Sequence, residues 1–175
     1  MFFKNIKDRV SHKELSELTL SQYTLPLVIS NADSLAAQLT DIVDGIEETK
    51  SNFITFLSLT ILLSYLLVKN VKGLNEGRFL NCSLEIVFTL CKSVNKIINY
   101  NITRNELFLS TSNMKNKLEL NKSSQLSEEV IALGMVFLNS LDKDCSDDAL
   151  KVALVSNHLI CTIANFPAIR VRLAD

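Results

Sequence analysis

Few side chains in this chain could do chemistry, and they are widely scattered. His158 and Cys161 stand three residues apart, a spacing that puts an imidazole and a thiol on one side of a helix. In one class of nucleophilic site the imidazole takes the thiol proton, and a third group orients the imidazole. No such third group is evident from the sequence around this couple. The other histidine, His12, stands alone, and Cys82, Cys91 and Cys145 complete the set of thiols. The four cysteines show no CxxC spacing, and no histidine lies within four residues of any two of them. That leaves no ligand set for zinc. Three of the four fall in apolar helical patterns, where a free thiol acts as a small hydrophobe.

The carboxylates give no site either. Glu47-Glu48, Glu128-Glu129 and Asp147-Asp148 are adjacent pairs near expected helix ends. Neighbours on a helix point about 100° apart, so such pairs do not converge, and solvation at helix ends explains them. Phosphate-binding glycine loops, HExxH and calcium-binding loops are absent from the sequence. Arg170 and Arg172, just after Pro167, are the densest exposed basic pair. The chain is therefore expected to be non-enzymatic, with no cofactor and no metal. Eighteen basic and nineteen acidic residues give a net charge of −1, without the basic excess of a duplex-binding domain, so no direct nucleic-acid binding is expected.

Residues of this kind must be positioned by helices. Four Gly and two Pro make up about 3% of the 175 residues, against about 12% on average. A sandwich or barrel takes most of its φ > 0 turns from glycine, and a doubly wound fold needs it where strands enter helices. With 47% hydrophobic residues, the chain can bury a sizeable core. The fold class is all-α, in one helical domain over 1–175.

Periodicity places the helices. Leu35, Leu39, Ile42, Val43 and Ile46 share one face of a helix capped by Ser30 or Asn31. Ser51 or Asn52 opens a second helix that ends near Lys69-Asn70, with Gly73 as its stop. Its stretch from Phe53 to Val68 carries no charge but is shorter than the ~20 residues that span a bilayer. It also contains Thr55, Ser58, Thr60 and Ser64, so it is expected to be a buried central helix with Leu59 and Leu63 enclosed, not a membrane span. The Asn81, Asn101 and Asn121 sequons are then chance matches. A long amphipathic helix follows from about Asn75 to Tyr100. Asn101 to Gln125 lacks sustained periodicity and predicts a short helix or extended piece followed by a mobile loop. Ser127 opens a helix reaching Leu141, and Ser146 caps another ending near Asn165. Sliding the chain by seventy residues sets Cys91 on Cys161 and Asn95 on Asn165, which suggests two repeat-like layers, about 31–100 and 101–175.

The final residues, Ile163-Ala164-Asn165-Phe166-Pro167-Ala168-Ile169-Arg170-Val171-Arg172-Leu173-Ala174-Asp175, resemble the junction between consecutive armadillo repeats. There a Leu-Ala pair, a short turn with Pro, an Arg, and then Leu and an acidic residue follow in that order. Helix order extends the resemblance to about 127–175. It implies an armadillo/HEAT-like α-solenoid segment whose third helices line a concave groove. In repeats that clasp extended peptides, Trp and Asn stand four residues apart on that helix. The matching positions here are His158 and Thr162, with Phe88 and Lys92 one layer earlier. The Trp–Asn pair is missing from both, so the resemblance implies a general protein-binding surface rather than that peptide mode.

The expected function is an intracellular scaffold or adaptor, in cytoplasm or nucleus, that presents helix faces to another protein. Its expected binding residues are Phe88, Lys92, His158, Thr162, Arg170 and Arg172, with each long helix giving one half of a continuous strip. The stretch from Ala168 to Asp175 begins a helix with nothing after it to pack on, so a packing partner or a longer parent chain is expected at that end. The alternative is a compact helical bundle, a Bcl-2-like regulator, that holds a partner helix in an apolar groove.

Overall fold

The computed structural model describes residues 17–26, 49–92, 100–120, 125–143 and 147–164. The helices are α1 (17–26), α2 (Lys50–Val68), α3 (Glu76–Lys92), α4 (Arg104–Glu119), α5 (Leu126–Asn139) and α6 (Ala149–Ala164). No strand occurs among the described residues, in keeping with the all-α class. The helix expected over Ser30–Ile46 lies outside them, as do Arg170 and Arg172.

The apolar helix α2 is the centre of the fold. It packs against α3, α4 and α5, and its side chains enter three hydrophobic clusters. Leu59, Leu62, Leu63 and Leu66 meet α4, α5 and α6 in the largest cluster. Ile54, Leu57 and Ile61 meet α1, α3 and α4 in the second, and Val68 joins Leu20 and Phe79 in the third. A helix surrounded on several sides must be apolar nearly all round, which explains the uncharged run from Phe53 to Val68. Leu59 and Leu63 are buried as expected. By length and composition this helix could cross a membrane, yet 72% of its most apolar window is buried by the rest of the chain.

The hydroxyls and amide on α2 fix the register of its neighbours. Thr49 caps α2 by accepting from the Asn52 amide at 3.1 Å, and its hydroxyl donates to Asp142. The Asn52 side chain accepts from the Asp142 amide at 2.9 Å, and Thr55 donates to the Ser140 carbonyl at 3.2 Å. Ser58 bonds Ser110 at 2.9 Å and accepts from Thr111 at 3.2 Å. Positions 49, 52, 55 and 58 recur every three residues, so one polar ridge ties α2 to the end of α5 and to α4. Such bonds are geometrically exacting, whereas leucine packing alone tolerates sliding.

Three expectations about the elements change. Asn101 to Gln125 is mostly helix: α4 occupies sixteen of those positions. A full capping box starts it, with Thr103 accepting from the Glu106 amide and the Glu106 carboxylate accepting from the Thr103 amide at 2.8 Å. Its buried face is Leu107, Thr111, Met114 and Leu118, at i, i+4, i+7 and i+11. The period is regular, but Thr111 breaks the apolar signal. Lys115 and Lys117 therefore sit in a packed helix, not in a mobile loop. Second, Asp148 stands at the start of α6 and accepts from the amides of Leu150 at 3.1 Å and Lys151 at 3.2 Å, while Ser146, the expected cap, lies outside the described residues. Third, Glu129 is buried rather than solvated: Lys69, at the end of α2, forms an ion pair with it.

The capping box carries a pH dependence. Lys50, 2.6 Å from Glu106, and then the Thr103 amide and hydroxyl hold the Glu106 carboxyl down at about 2. A depressed carboxyl stabilises the folded state above its ordinary value and loses that effect as the solution acidifies. The contribution of Glu106 is thus complete above about pH 4.5 and fades toward pH 2. Urea midpoints measured across that window should fall less in Glu106→Gln than in the parent. Equal slopes would mean the box is not formed in solution.

Candidate partner-binding groove

Helices α5 and α6 form an antiparallel hairpin, the most extensively packed pair in the fold. Gly134 lets them approach. A Cβ at this position would lie 3.1 Å from Ser156 Oγ, which would have to give by a few tenths of an ångström, and in ordinary contact with Val155 Cγ1 at 3.4 Å. Behind that contact the inner faces close over Val130, Leu133, Phe137, Val155 and Leu159.

Outside it they leave an open groove of about 640 Å³. Ile131 and Met135 form one wall; Val152, Ala153, Ser156 and Ile160 form the other. Ile131 is 38% and Met135 46% exposed, a large apolar area to leave in water. Leu150, 68% exposed, and Leu154 stand on the outer side of α6. The Ser156 hydroxyl is turned away from the opening, buried between the two helices beside Gly134, with no hydrogen-bond partner. The groove has no convergent acid, base or nucleophile: its one ionisable wall group is Asp147, at the end of the groove where α6 begins.

The other cluster of ionisable groups lies elsewhere, where α2, α3 and α4 meet. Lys115 bridges Glu76 at 2.5 Å and also pairs with Glu119. Burial, reinforced by the Glu76 carboxylate, pushes the Tyr65 phenol up to about 12. The phenol therefore stays protonated and donates to Glu76, an arrangement that ties three helices together. It opens onto no described cavity. Among the described residues no group of three or more His, Cys, Asp and Glu could hold a metal ion.

The expected strip is not assembled. Phe88 is half-buried on α3, and Lys92 is the last residue of that helix. His158 is half-buried on α6, while Thr162 is 5% exposed and its hydroxyl donates to the His158 carbonyl at 2.9 Å. Thr162 thus faces the interior and cannot present itself to a partner. Moreover α3 packs on α2 and α4, whereas α6 packs on α5, so the two pairs do not run together. An i, i+4 spacing guarantees a shared face but not that the face is outward. Each helix of the α5–α6 pair also starts more than seventy residues after its counterpart in α2–α3, and α4 stands between the pairs.

The groove residues were legible as helix positions but not as a site. One signal pointed to them: α6 spans sixteen residues with Lys151 as its single formal charge. A surface helix that lacks a charged outer face has something to cover it. Comparison with family models, curated proteins and solved structures finds no match to this chain.

Proposed function

We propose that this chain is a non-catalytic protein-interaction module that receives an apolar helix of a partner protein along the α5–α6 groove. The observation that carries this reading is the groove itself, open and apolar on both walls, with Ile131 and Met135 left exposed along it. Helix-in-groove recognition uses such a surface, reading anchors at i, i+3, i+4 and i+7 of the incoming helix. The resemblance of 163–175 to an armadillo junction belongs to the same functional class, since those repeats also act as intracellular scaffolds. The central position of α2 favours the bundle form of the proposal, in which one hairpin offers the docking face.

A display library of helical peptides with randomised apolar stripes tests the reading. Selected peptides should bind the parent and lose about 10-fold or more in affinity on Met135→Arg or Ile131→Asp, each of which sets a charge in an apolar groove wall. Both positions are exposed, so the variants should keep the parent's helical circular dichroism. Binders that ignore both substitutions would move the interface off the groove.

A further inference from the structure

We infer that the helix received by the α5–α6 groove is amphipathic with basic ends, an apolar stripe closed by a lysine or arginine on either side. The inference rests on the groove-binding reading and states the chemistry of its partner. Charge is unevenly divided along the chain. Residues 126–164, which hold α5, α6 and their connection, contain six acidic and two basic residues, a net charge of −4. The rest of the chain contains 13 acidic and 16 basic residues, a net charge of +3, against −1 for the whole.

Carboxylates stand at the two ends of the groove and not along it. At 100° per residue, Glu128, Ile131 and Met135 fall within about 60° of one another on the outer side of α5, and all three are exposed. Asp147, also exposed, lines the opposite end, and every other lining residue is uncharged. Neither lysine of the hairpin lines the groove: Lys151 pairs with Asp148 at 3.5 Å, and Lys143 lies in the connection. The other described acids are engaged elsewhere, Glu129 with Lys69 and Asp142 with Thr49.

Spacing fixes the length of the incoming stripe. Gly134 packs beside Ser156, which sets the level of one helix against the other. From that level Glu128 lies six residues back along α5, and Asp147 nine residues back along α6. The helices are antiparallel, so these steps run in opposite directions. At 1.5 Å per residue the two carboxylates stand ~22 Å apart along the groove, about four helical turns. The partner's basic residues are therefore about 15 positions apart. Each cation then meets a carboxylate at the rim while the apolar side chains between them cover Ile131 and Met135. An acidic-ended helix meets like charge at both places. A second copy of the chain brings the same −4 hairpin and meets it too.

Two helical peptides that share one apolar stripe and differ only in carrying Lys or Glu at both ends test this. Titrated against the full chain at about 50 mM salt, the Lys-ended peptide should bind about 10-fold or more tighter. The ratio should narrow at about 500 mM salt, because the rim charges are exposed and screened. Glu128→Lys combined with Asp147→Lys should reverse the preference, a gain of binding that a misfolded protein could not show. Equal affinity of the parent for the two peptides, or a preference unchanged in the double variant, would overturn the inference. So would self-association of the parent that Met135→Arg abolishes, since the groove would then belong to a second copy. If the two peptides bind equally but both are lost on Met135→Arg, the basic ends are wrong and the groove-binding reading survives. If neither peptide responds to Met135→Arg, both fall.

Discussion

Replacing Phe137 by alanine is expected to destabilise the fold by about 3–5 kcal/mol. Phe137 has no exposed surface and lies in the largest core cluster, where α2, α4, α5 and α6 converge. Its ring meets Phe56 of α2 edge-on, with centroids 4.9 Å apart and planes inclined by 69°. That geometry sets the positive edge of one ring on the negative face of the other and adds about 0.5–1.5 kcal/mol beyond burial. Removing Phe137 empties a space that four packed helices cannot close. A domain of this size is stable by only about 5–15 kcal/mol, so the variant should unfold at much lower urea with an unchanged slope. A double-mutant cycle with Phe56→Leu isolates the ring contact. A loss below about 1 kcal/mol in Phe137→Ala would mean that α5 is not seated on α2 as described.

Leu59→Ala should cost about 2–5 kcal/mol, the upper half being expected because α2 is enclosed on several sides. Leu59 is 1% exposed and directly follows Ser58, the last position of the polar ridge on α2. Hydrogen bonds from Asn52, Thr55 and Ser58 pin the helix there, so it cannot slide to refill the cavity. Leu150→Ala is the control. At 68% exposure it should change stability by no more than about 0.5 kcal/mol. Thermal or urea unfolding of the three proteins separates core from surface directly. Equal losses at Leu59 and Leu150 would show that α2 is not the central helix.

The helices that were legible in the sequence are those whose buried faces are aliphatic. Phe53 to Val68 could be read as the central helix from its missing charges alone, and Leu59 and Leu63 as its buried residues. Helix α1 shows the opposite case. Its buried face is Glu17, Leu20, Ser21, Thr24 and Leu25, an i, i+3, i+4, i+7, i+8 pattern in which three of five residues are polar. A hydrophobicity pattern cannot detect it. Only the surroundings make those polar groups internal: Ser21 bonds Ser83 at 3.0 Å, and Glu17 accepts from the Asn75 amide at 2.7 Å where α3 begins. Thr111 masks α4 for the same reason, because its hydroxyl finds Ser58.

By itself, then, the sequence determined the all-α class and the identity of the central helix. These follow from scarce glycine and uncharged length, whereas the caps, such as Thr49 on α2 and Thr103 on α4, did not fall where the sequence placed the helix starts. The tertiary structure alone decided which face of each helix is outward. The spacing of Phe88 and Lys92, or of His158 and Thr162, is the same whether a pair faces water or the core, and α6 turns Thr162 inward. It also decided that a groove exists, since the groove is a property of two helices held apart at their rims and together at Gly134. Local propensity is fixed by neighbours along the chain, but an outward face is fixed by what the other helices leave uncovered.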